Sequence, residues 1–272
     1  MDTIIYDWRL TGSHPLHVQY SEHRPGRVSP AADMHSSVHV GILLEGDTTG
    51  LRNGEKLTVR AGELYLTAPW EPHRTLGSRQ GNKLLLLTAD PDAVDRALLS
   101  GADKLNLLYR TRVAERQRIL NGLRLAPERT QSILELLHRP ESPERELRLW
   151  HAALGVFLEI ATLEFSAEPN PDYSRLLPSL RKLGNRPLSV PEAARECGLS
   201  ESRFAHLFKQ VFGMSFAKYE RLYRLRCAVE EMQRLHGGLK ETAENWGFYD
   251  KSHFAKARRK YLGTSDRSAQ RS

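Results

Sequence analysis

Three histidines and one glutamate stand in the first part of the chain at spacings that could ligate a metal. His35 and His39 are four positions apart, Glu45 follows six positions later, and His73 lies downstream. Residues four apart on a strand share one face of a sheet, and three imidazoles with a carboxylate can bind a transition metal. The alternative is that each histidine is a surface or hydrogen-bonded residue. The prediction from these residues is no metal and no cofactor.

Positive charge is concentrated in the last third of the chain. Residues 174–272 contain 20 Lys and Arg against 10 Asp and Glu, a net +10, whereas residues 1–173 contain 20 against 23, a net −3. A basic region confined to one end is typical of a protein that binds the phosphates of nucleic acid. A basic surface that only keeps the protein in solution is the alternative.

Two segments in this basic region share one plan, LSVPEAARECGLSESRFAHLFKQVFG (188–213) and LKETAENWGFYDKSHFAKARRKYLG (239–263). Each predicts a short helix, a glycine turn at Gly198 or Gly247, and a second helix capped by Ser200 or Asp250. This is the plan of a helix-turn-helix unit, whose second helix enters the major groove of DNA.

A continuous helix is predicted between the two units, over 215–235, because this stretch contains no Pro or Gly and repeats its apolar residues helically. Twenty-one residues at 1.5 Å each span about 31 Å. One turn of B-DNA measures about 34 Å. Such a helix could hold two recognition helices about one turn apart on one face of the DNA.

The first half of the chain changes character near Asp92. Residues 4–90 carry short apolar runs broken by Gly, Pro, Asn and Asp, a pattern typical of a β-sandwich or barrel, and Asn53-Gly54 predicts a hairpin turn. After Asp92 the pattern is helical, with ERTQSILELLH pairing with a second helix. In that second helix Leu147, Trp150, Leu154, Phe157 and Ala161 predict one apolar face.

The compartment can also be predicted from the sequence. The first residues, MDTIIYDWRL, lack the basic start and long apolar run of a secretory signal. The two cysteines, Cys197 and Cys227, are too few for a disulfide framework or a complete zinc site. A cytoplasmic protein without a membrane anchor is therefore expected.

Residues 174–263 resemble the DNA-binding domain of the AraC/XylS family of transcription regulators. The resemblance rests on two segments, GLSESRFAHLFKQVFGMSFAKYERLYRLRCA and GFYDKSHFAKARRKYLG. The resemblance implies a DNA-binding regulator whose two recognition helices contact bases and phosphates. The residues it places at the DNA are Ser202, Arg203, Ala205, His206, Lys209, Gln210, Lys251, Ser252, Lys256 and Arg259.

The segment GILLEGDTTGLRNGEKLTVRAGELYLTAPWEPH (41–73) resembles the cupin-like sensor that precedes this DNA-binding unit in many family members. Small barrels of this kind hold one small ligand. The resemblance implies an organic-ligand pocket whose lining residues are His39, Glu45, Tyr65, Trp70 and His73. The histidine spacing departs from the metal-binding motif of enzymatic cupins.

The predicted fold is a multidomain α+β protein with an N-terminal cupin-like β-barrel, a helical dimerisation segment and a C-terminal all-α double helix-turn-helix. The expected boundaries are a sensor at 1–91, a dimerisation segment at 92–165, a linker at 166–173 and a DNA-binding domain at 174–272. The expected homodimer interface is chiefly the Leu147–Trp150–Leu154–Phe157 stripe, and the alternative is that this stripe is core within one chain.

The predicted function is a non-enzymatic, ligand-responsive transcription regulator. Its expected partners are double-stranded DNA, a small-molecule effector, a second copy of the chain and, as a further candidate, RNA polymerase. Two alternatives remain open, a cupin-type metalloenzyme with an accessory DNA-binding tail and a ligand-independent DNA-binding protein.

Overall fold

The N-terminal part of the protein is an antiparallel β-domain. A computed structural model describes residues 10–26, 28–29, 32–235 and 238–262, so residues 4–9 of the predicted β-region and Gly263 of the second predicted unit lie outside the described residues. The strands are β1 (Leu16–His23), β2 (Val38–Arg52), β3 (Glu55–Arg60), β4 (Leu64–Thr67), β5 (His73–Gly77) and β6 (Asn82–Ala89).

The long strand β2 belongs to two antiparallel sheets. Its first half lies between β6 and β4, with β1 on the far side of β6, and its second half lies between β3 and β5. The predicted hairpin turn joins β2 to β3. Asn53 and Gly54 have φ values of 49° and 81°, and Arg52 pairs with Glu55, which is the geometry that an Asn-Gly turn favours.

Alternation along β2 gives its first half two different buried faces. Val38, Val40 and Ile42 pack with the helices that follow the sheet. On the opposite face, Leu43 packs with Val59 of β3 and Tyr65 of β4, inside the domain. His39 lies four residues before Leu43 on the same strand, and side chains an even number of residues apart point to the same face, so His39 shares this interior face. Strand β2 therefore carries the helix-facing core and the polar interior together.

Among the described residues, five α-helices pack over the sheet, α1 (Pro91–Leu98), α2 (Ala102–Arg110), α3 (Val113–Leu120), α4 (Pro127–Leu137) and α5 (Pro143–Ala161). Helices α4 and α5 form the predicted pair. The predicted apolar face of α5 is buried within the chain only in its second part, since Phe157 and Ala161 are buried whereas Leu147 is 67 % exposed. The buried face runs through Leu149, Ala153, Val156, Phe157, Ile160 and Ala161.

In the C-terminal part, the elements within the described residues 166–235 and 238–262 are all helices. Its helices are α6 (Pro171–Arg181), α7 (Val190–Glu196), α8 (Glu201–Phe212), α9 (Phe216–Leu235), α10 (Leu239–Asn245) and α11 (Lys251–Leu262). The predicted linker 166–173 overlaps α6, which begins earlier than expected because Asn170 caps Asp172 and Pro171 fits the first helical turn. No helix among the described residues is long and apolar enough to cross a membrane. The predicted α+β architecture is confirmed.

Candidate nucleic-acid interface and sensor site

Three histidines meet at the edge of the β-domain interior. His39 lies on β2, His73 begins β5, and His35 lies in the segment before β2. The ring centroids of His35 and His39 are 4.1 Å apart, and the ring of His73 lies 4.9 Å from His35 and 5.8 Å from His39. The sequence placed these three residues as candidates, and the fold brings them together.

Burial keeps these three imidazoles neutral. Desolvation lowers the pKa of His35 to about 3. Desolvation also holds the pKa of His39 well below its ordinary value and lowers that of His73. A neutral imidazole carries one ring nitrogen with a free lone pair, so the cluster presents nitrogen acceptors rather than positive charge.

The other predicted ligand-binding residues are spread over different places. Tyr65 lies in the interior, where the guanidinium of Arg52 sits 4.1 Å from its ring centroid. Trp70 packs against Tyr223 of α9, with ring centroids 4.5 Å apart and an interplanar angle of 52°, and so lies against the helical domain. Glu45 does not join the interior, since it is exposed and pairs with Lys83 at 2.8 Å.

Arg52 is a buried cation that the sequence analysis missed. Its side chain is 7 % exposed and donates from Nε to the hydroxyl of Thr67 at 3.1 Å. Desolvation lowers the pKa of this guanidinium, against the opposing effect of Tyr65. The β-domain interior therefore contains a positive group beside an aromatic ring.

The first candidate DNA-reading unit consists of α7 and α8. Ser189 and Glu192 form a reciprocal capping box at the start of α7. Gly198 turns the chain with a φ of 63°, and Ser200 caps α8 by accepting a hydrogen bond from the amide of Arg203. The buried face of α8 holds Phe204, Leu207, Phe208, Val211 and Phe212. The glycine turn and the serine cap agree with the sequence prediction.

The opposite face of α8 is exposed. It carries all six residues that the sequence analysis placed at DNA on this helix, namely Ser202, Arg203, Ala205, His206, Lys209 and Gln210. Polar and basic side chains on the free face of a second helix are what a recognition helix needs. The fold thus leaves these side chains available to a major groove.

The second unit repeats this arrangement. Gly247 turns the chain with a φ of 66°, and Asp250 caps α11 by accepting a hydrogen bond from the amide of His253 at 2.6 Å. Phe254 and Ala257 are buried against α9 and α10. The predicted DNA contacts of this helix are exposed, namely Lys251, Ser252, Lys256 and Arg259.

Helix α9 carries a buried ion pair that the sequence analysis did not predict. Glu220 and Arg224 are spaced i,i+4, with side chains only 7 % and 9 % exposed. Arg224 also donates to the carbonyl of Trp246 at 2.8 Å, in the turn before α11. The second unit is therefore fastened to the middle of α9.

Residues 193–271 match the model of the helix-turn-helix domain family. This segment is an AraC-type helix-turn-helix domain. It is a DNA-binding domain of the kind found in transcription regulators. No curated protein matches the chain in sequence.

Solved structures of ToxT from Vibrio cholerae resemble this chain over 92 % of its length. ToxT of strain O395, bound to (E)-4-(8-methylnaphthalen-1-yl)but-3-enoic acid, superposes with a TM-score of 0.53 at 10 % identity, covering 92 % of this chain and 96 % of that chain. Wild-type ToxT of strain SCE256, bound to an unsaturated fatty acid, gives 0.50 at 10 % identity, covering 92 % and 93 %. At this identity the likeness shows the fold alone.

The AraC-type domain contacts the β-domain through α9. Tyr219 donates its hydroxyl to the carbonyl of Trp70 at 3.0 Å, and Ser36 donates to the carboxylate of Glu230 at 3.1 Å. Arg226 forms an ion pair with Asp33. These partners come from opposite ends of the chain, so the sequence carried no local signal of this contact, which we name the α9 contact.

A second contact joins the β2–β3 turn to the end of α8. A Cβ on Gly213 would lie 2.4 Å from the Cα of Gly54, and Gly213 also has a φ of 68°. Both the close approach and the left-handed backbone require glycine there. The hairpin of the β-domain therefore abuts the AraC-type domain where its first recognition helix ends.

Proposed function

We propose that the protein is a cytoplasmic, sequence-specific DNA-binding transcription regulator controlled by a small organic ligand in its β-domain. The observation that carries the DNA-binding part is the pair of exposed helices, α8 and α11, held by α9. Twenty residues of helix span about 30 Å, close to the roughly 34 Å of one DNA turn. Two adjacent major grooves on one DNA face are the matching target.

Selection of random duplexes by the full-length chain at physiological salt tests this proposal. The selected sites should contain two short preferred blocks whose centres lie about 10 base pairs apart. Equal retention of all sequences would show that the protein binds only the DNA backbone, and the proposed specificity would then be wrong.

The ligand part is supported by the polar interior of the β-domain. Arg52 is buried there beside Tyr65, and a carboxylate would complement its charge in a site of low dielectric constant. Two of the ToxT structures that resemble this chain hold carboxylic acids. We propose that the effector is an organic acid whose carboxylate pairs with Arg52.

A thermal-shift screen of carboxylic acids, each paired with the corresponding alcohol, tests the ligand. An acid at 100 times its Kd should stabilise the folded chain by about 2.7 kcal/mol, and the alcohol should not. Arg52→Met should abolish this shift, whereas Arg60→Met, on the exposed side of β3, should preserve it. A shift that survives Arg52→Met would refute the assignment of this arginine.

We also propose that the chain forms a homodimer through the α4–α5 surface. The predicted interface was the Leu147–Trp150–Leu154–Phe157 stripe, but Phe157 is fully buried within the chain. Two large apolar side chains of α5, Leu147 and Leu158, are 67 % and 51 % exposed.

Sedimentation of the full chain should show a dimer that Leu147→Glu dissociates without loss of folding. A monomer at tens of micromolar, as an order of magnitude, would contradict the proposal.

A further inference from the structure

The cluster of His35, His39 and His73 has the composition of a metal site. One nitrogen from each ring lies within 4.8 Å of the others. Three imidazoles around one point, two of them buried and the third half-buried, form a small nitrogen-lined site at the end of the β-domain interior.

Hydrogen bonds orient two of these rings. Nδ1 of His35 lies 3.0 Å from the carbonyl of Ser37, and Nδ1 of His73 lies 2.9 Å from the carbonyl of Glu71. A carbonyl can only accept, so a proton on each Nδ1 makes these hydrogen bonds and leaves the lone pair on Nε2. The hydroxyl of Ser37, 2.9 Å from Nδ1 of His35, can accept from the same proton. Metal-binding histidines are oriented by the same kind of hydrogen bond from the second ring nitrogen.

The backbone around the cluster is also fixed. Asp33 and His73 exchange two backbone hydrogen bonds of 2.8 Å, which tie the segment before β2 to the start of β5. The Cα positions of His39 and Thr67 are paired across β2 and β4. All three histidines therefore project from chain segments that hydrogen bonds hold in place, as a preorganised site requires.

We infer that His35, His39 and His73 bind one divalent transition metal ion, with Zn²⁺ as the first candidate. A donor set of three imidazoles selects zinc, copper, nickel, cobalt or iron over magnesium and calcium, which prefer oxygen. Three nitrogen ligands leave a fourth tetrahedral position open. With Zn–N bonds of 2.0–2.1 Å, tetrahedral nitrogens are roughly 3.4 Å apart, so nitrogens that now lie within 4.8 Å of one another approach by at most about 1.4 Å on binding.

This inference goes beyond the proposed organic ligand and does not depend on it. The metal site uses nitrogen donors, whereas the proposed carboxylate pairs with Arg52. The ligand His35 follows Asp33 by two positions in the chain. The carboxylate of Asp33 forms an ion pair with Arg226 of α9. Metal binding would therefore occur next to the α9 contact.

Metal content of the full-length chain tests the inference. The protein is stripped with a chelator, dialysed against ZnCl₂ and analysed for bound zinc, and a second sample is titrated with CoCl₂ while its visible absorption is recorded. The expected result is one ion per chain with the absorption of a low-symmetry cobalt site. His39→Gln should lose the ion, whereas His151→Gln, at an exposed position of α5, should retain it.

Two further measurements keep the test decisive if His39→Gln does not fold. His73→Gln removes the half-buried ligand instead, and Cu²⁺ bound to the unaltered chain should show electron-spin coupling to imidazole nitrogens. Arg52→Met should keep the ion, which separates this site from the organic-ligand proposal. The inference is wrong if the unaltered chain binds no stoichiometric ion, if its copper spectrum lacks nitrogen coupling, or if folded His73→Gln binds zinc as tightly.

Discussion

Replacing Glu71 by alanine is expected to lower the free energy of unfolding by about 3–5 kcal/mol. Glu71 and Arg116 of α3 form an ion pair at 2.7 Å in which both side chains are only 2 % exposed. The carboxylate also accepts a hydrogen bond from the amide of Ala68 at 3.3 Å. Without it, the guanidinium stays buried with no compensating charge, which costs far more than losing an exposed pair.

Urea denaturation followed by circular dichroism measures this effect. Glu115→Ala is the matched control, because Glu115 lies on α3 beside Arg116 and pairs with Arg118 at the surface. Exposed pairs contribute little to stability, so this variant should unfold at the same urea concentration as the unaltered chain. Equal midpoints for all three proteins would mean that Arg116 finds another partner or water when Glu71 is absent.

DNA affinity is expected to fall by about 10³–10⁵-fold between roughly 50 and 200 mM salt, if six to ten phosphates are contacted. The basic side chains Arg203, Lys209, Lys251, Lys256 and Arg259 are exposed on the two recognition helices. Each phosphate that they neutralise releases condensed counterions, so the slope of log affinity against log salt counts the contacts.

Two neighbours on α8 should separate base reading from phosphate binding. Lys209→Ala should weaken binding to all sequences alike and reduce the salt slope by about one unit. His206→Ala should leave the slope almost unchanged but relax the preference at one base pair, at a cost of about 1–3 kcal/mol. Binding isotherms on the selected site and its single-base variants give both quantities. Unaltered base preference in His206→Ala would refute its assigned role.

The sequence was most informative where the signal is local. The turns at Gly198 and Gly247 and the caps at Ser200 and Asp250 lie within a few residues of the helices they delimit, and all four have the predicted geometry. The match of residues 193–271 to the helix-turn-helix family agrees with that reading. Local backbone preferences decide these features, so one short segment is enough to predict them.

The orientation of Glu45 could not be predicted from the alternation of side chains along a strand, because β2 contains one extra residue just before it. His39 and Leu43 face the interior of the β-domain, and strict alternation would place Glu45 there as well. The pairing of β2 with β6 shifts register between Leu43 and Glu45. This β-bulge turns Glu45 outward to Lys83, and a bulge of this kind leaves no clear mark in one sequence.

Long-range contacts were the other part that the sequence could not predict. Asp33 and Arg226 pair across 193 positions, and Glu71 and Arg116 across 45. Neither pair differs in composition from the many exposed ion pairs of the chain. Similarly, α5 has apolar residues at Leu147, Leu149 and Leu158, on more than one side, so its periodicity does not decide which side faces the core.

The α9 contact has a thermodynamic consequence. Helix α9 carries Tyr219, Arg226 and Glu230 against the β-domain, and the same helix is packed against both α8 and α11. If α9 exchanged between a state docked on the β-domain and a released state, α8 and α11 would both be affected. Binding to both halves of the DNA site would then change together. If DNA binds one of these two states more tightly, thermodynamic linkage applies to the proposed effector as well. DNA then changes the affinity for the effector by the same factor by which the effector changes the affinity for DNA. The operator would in this way act as an effector of the sensor.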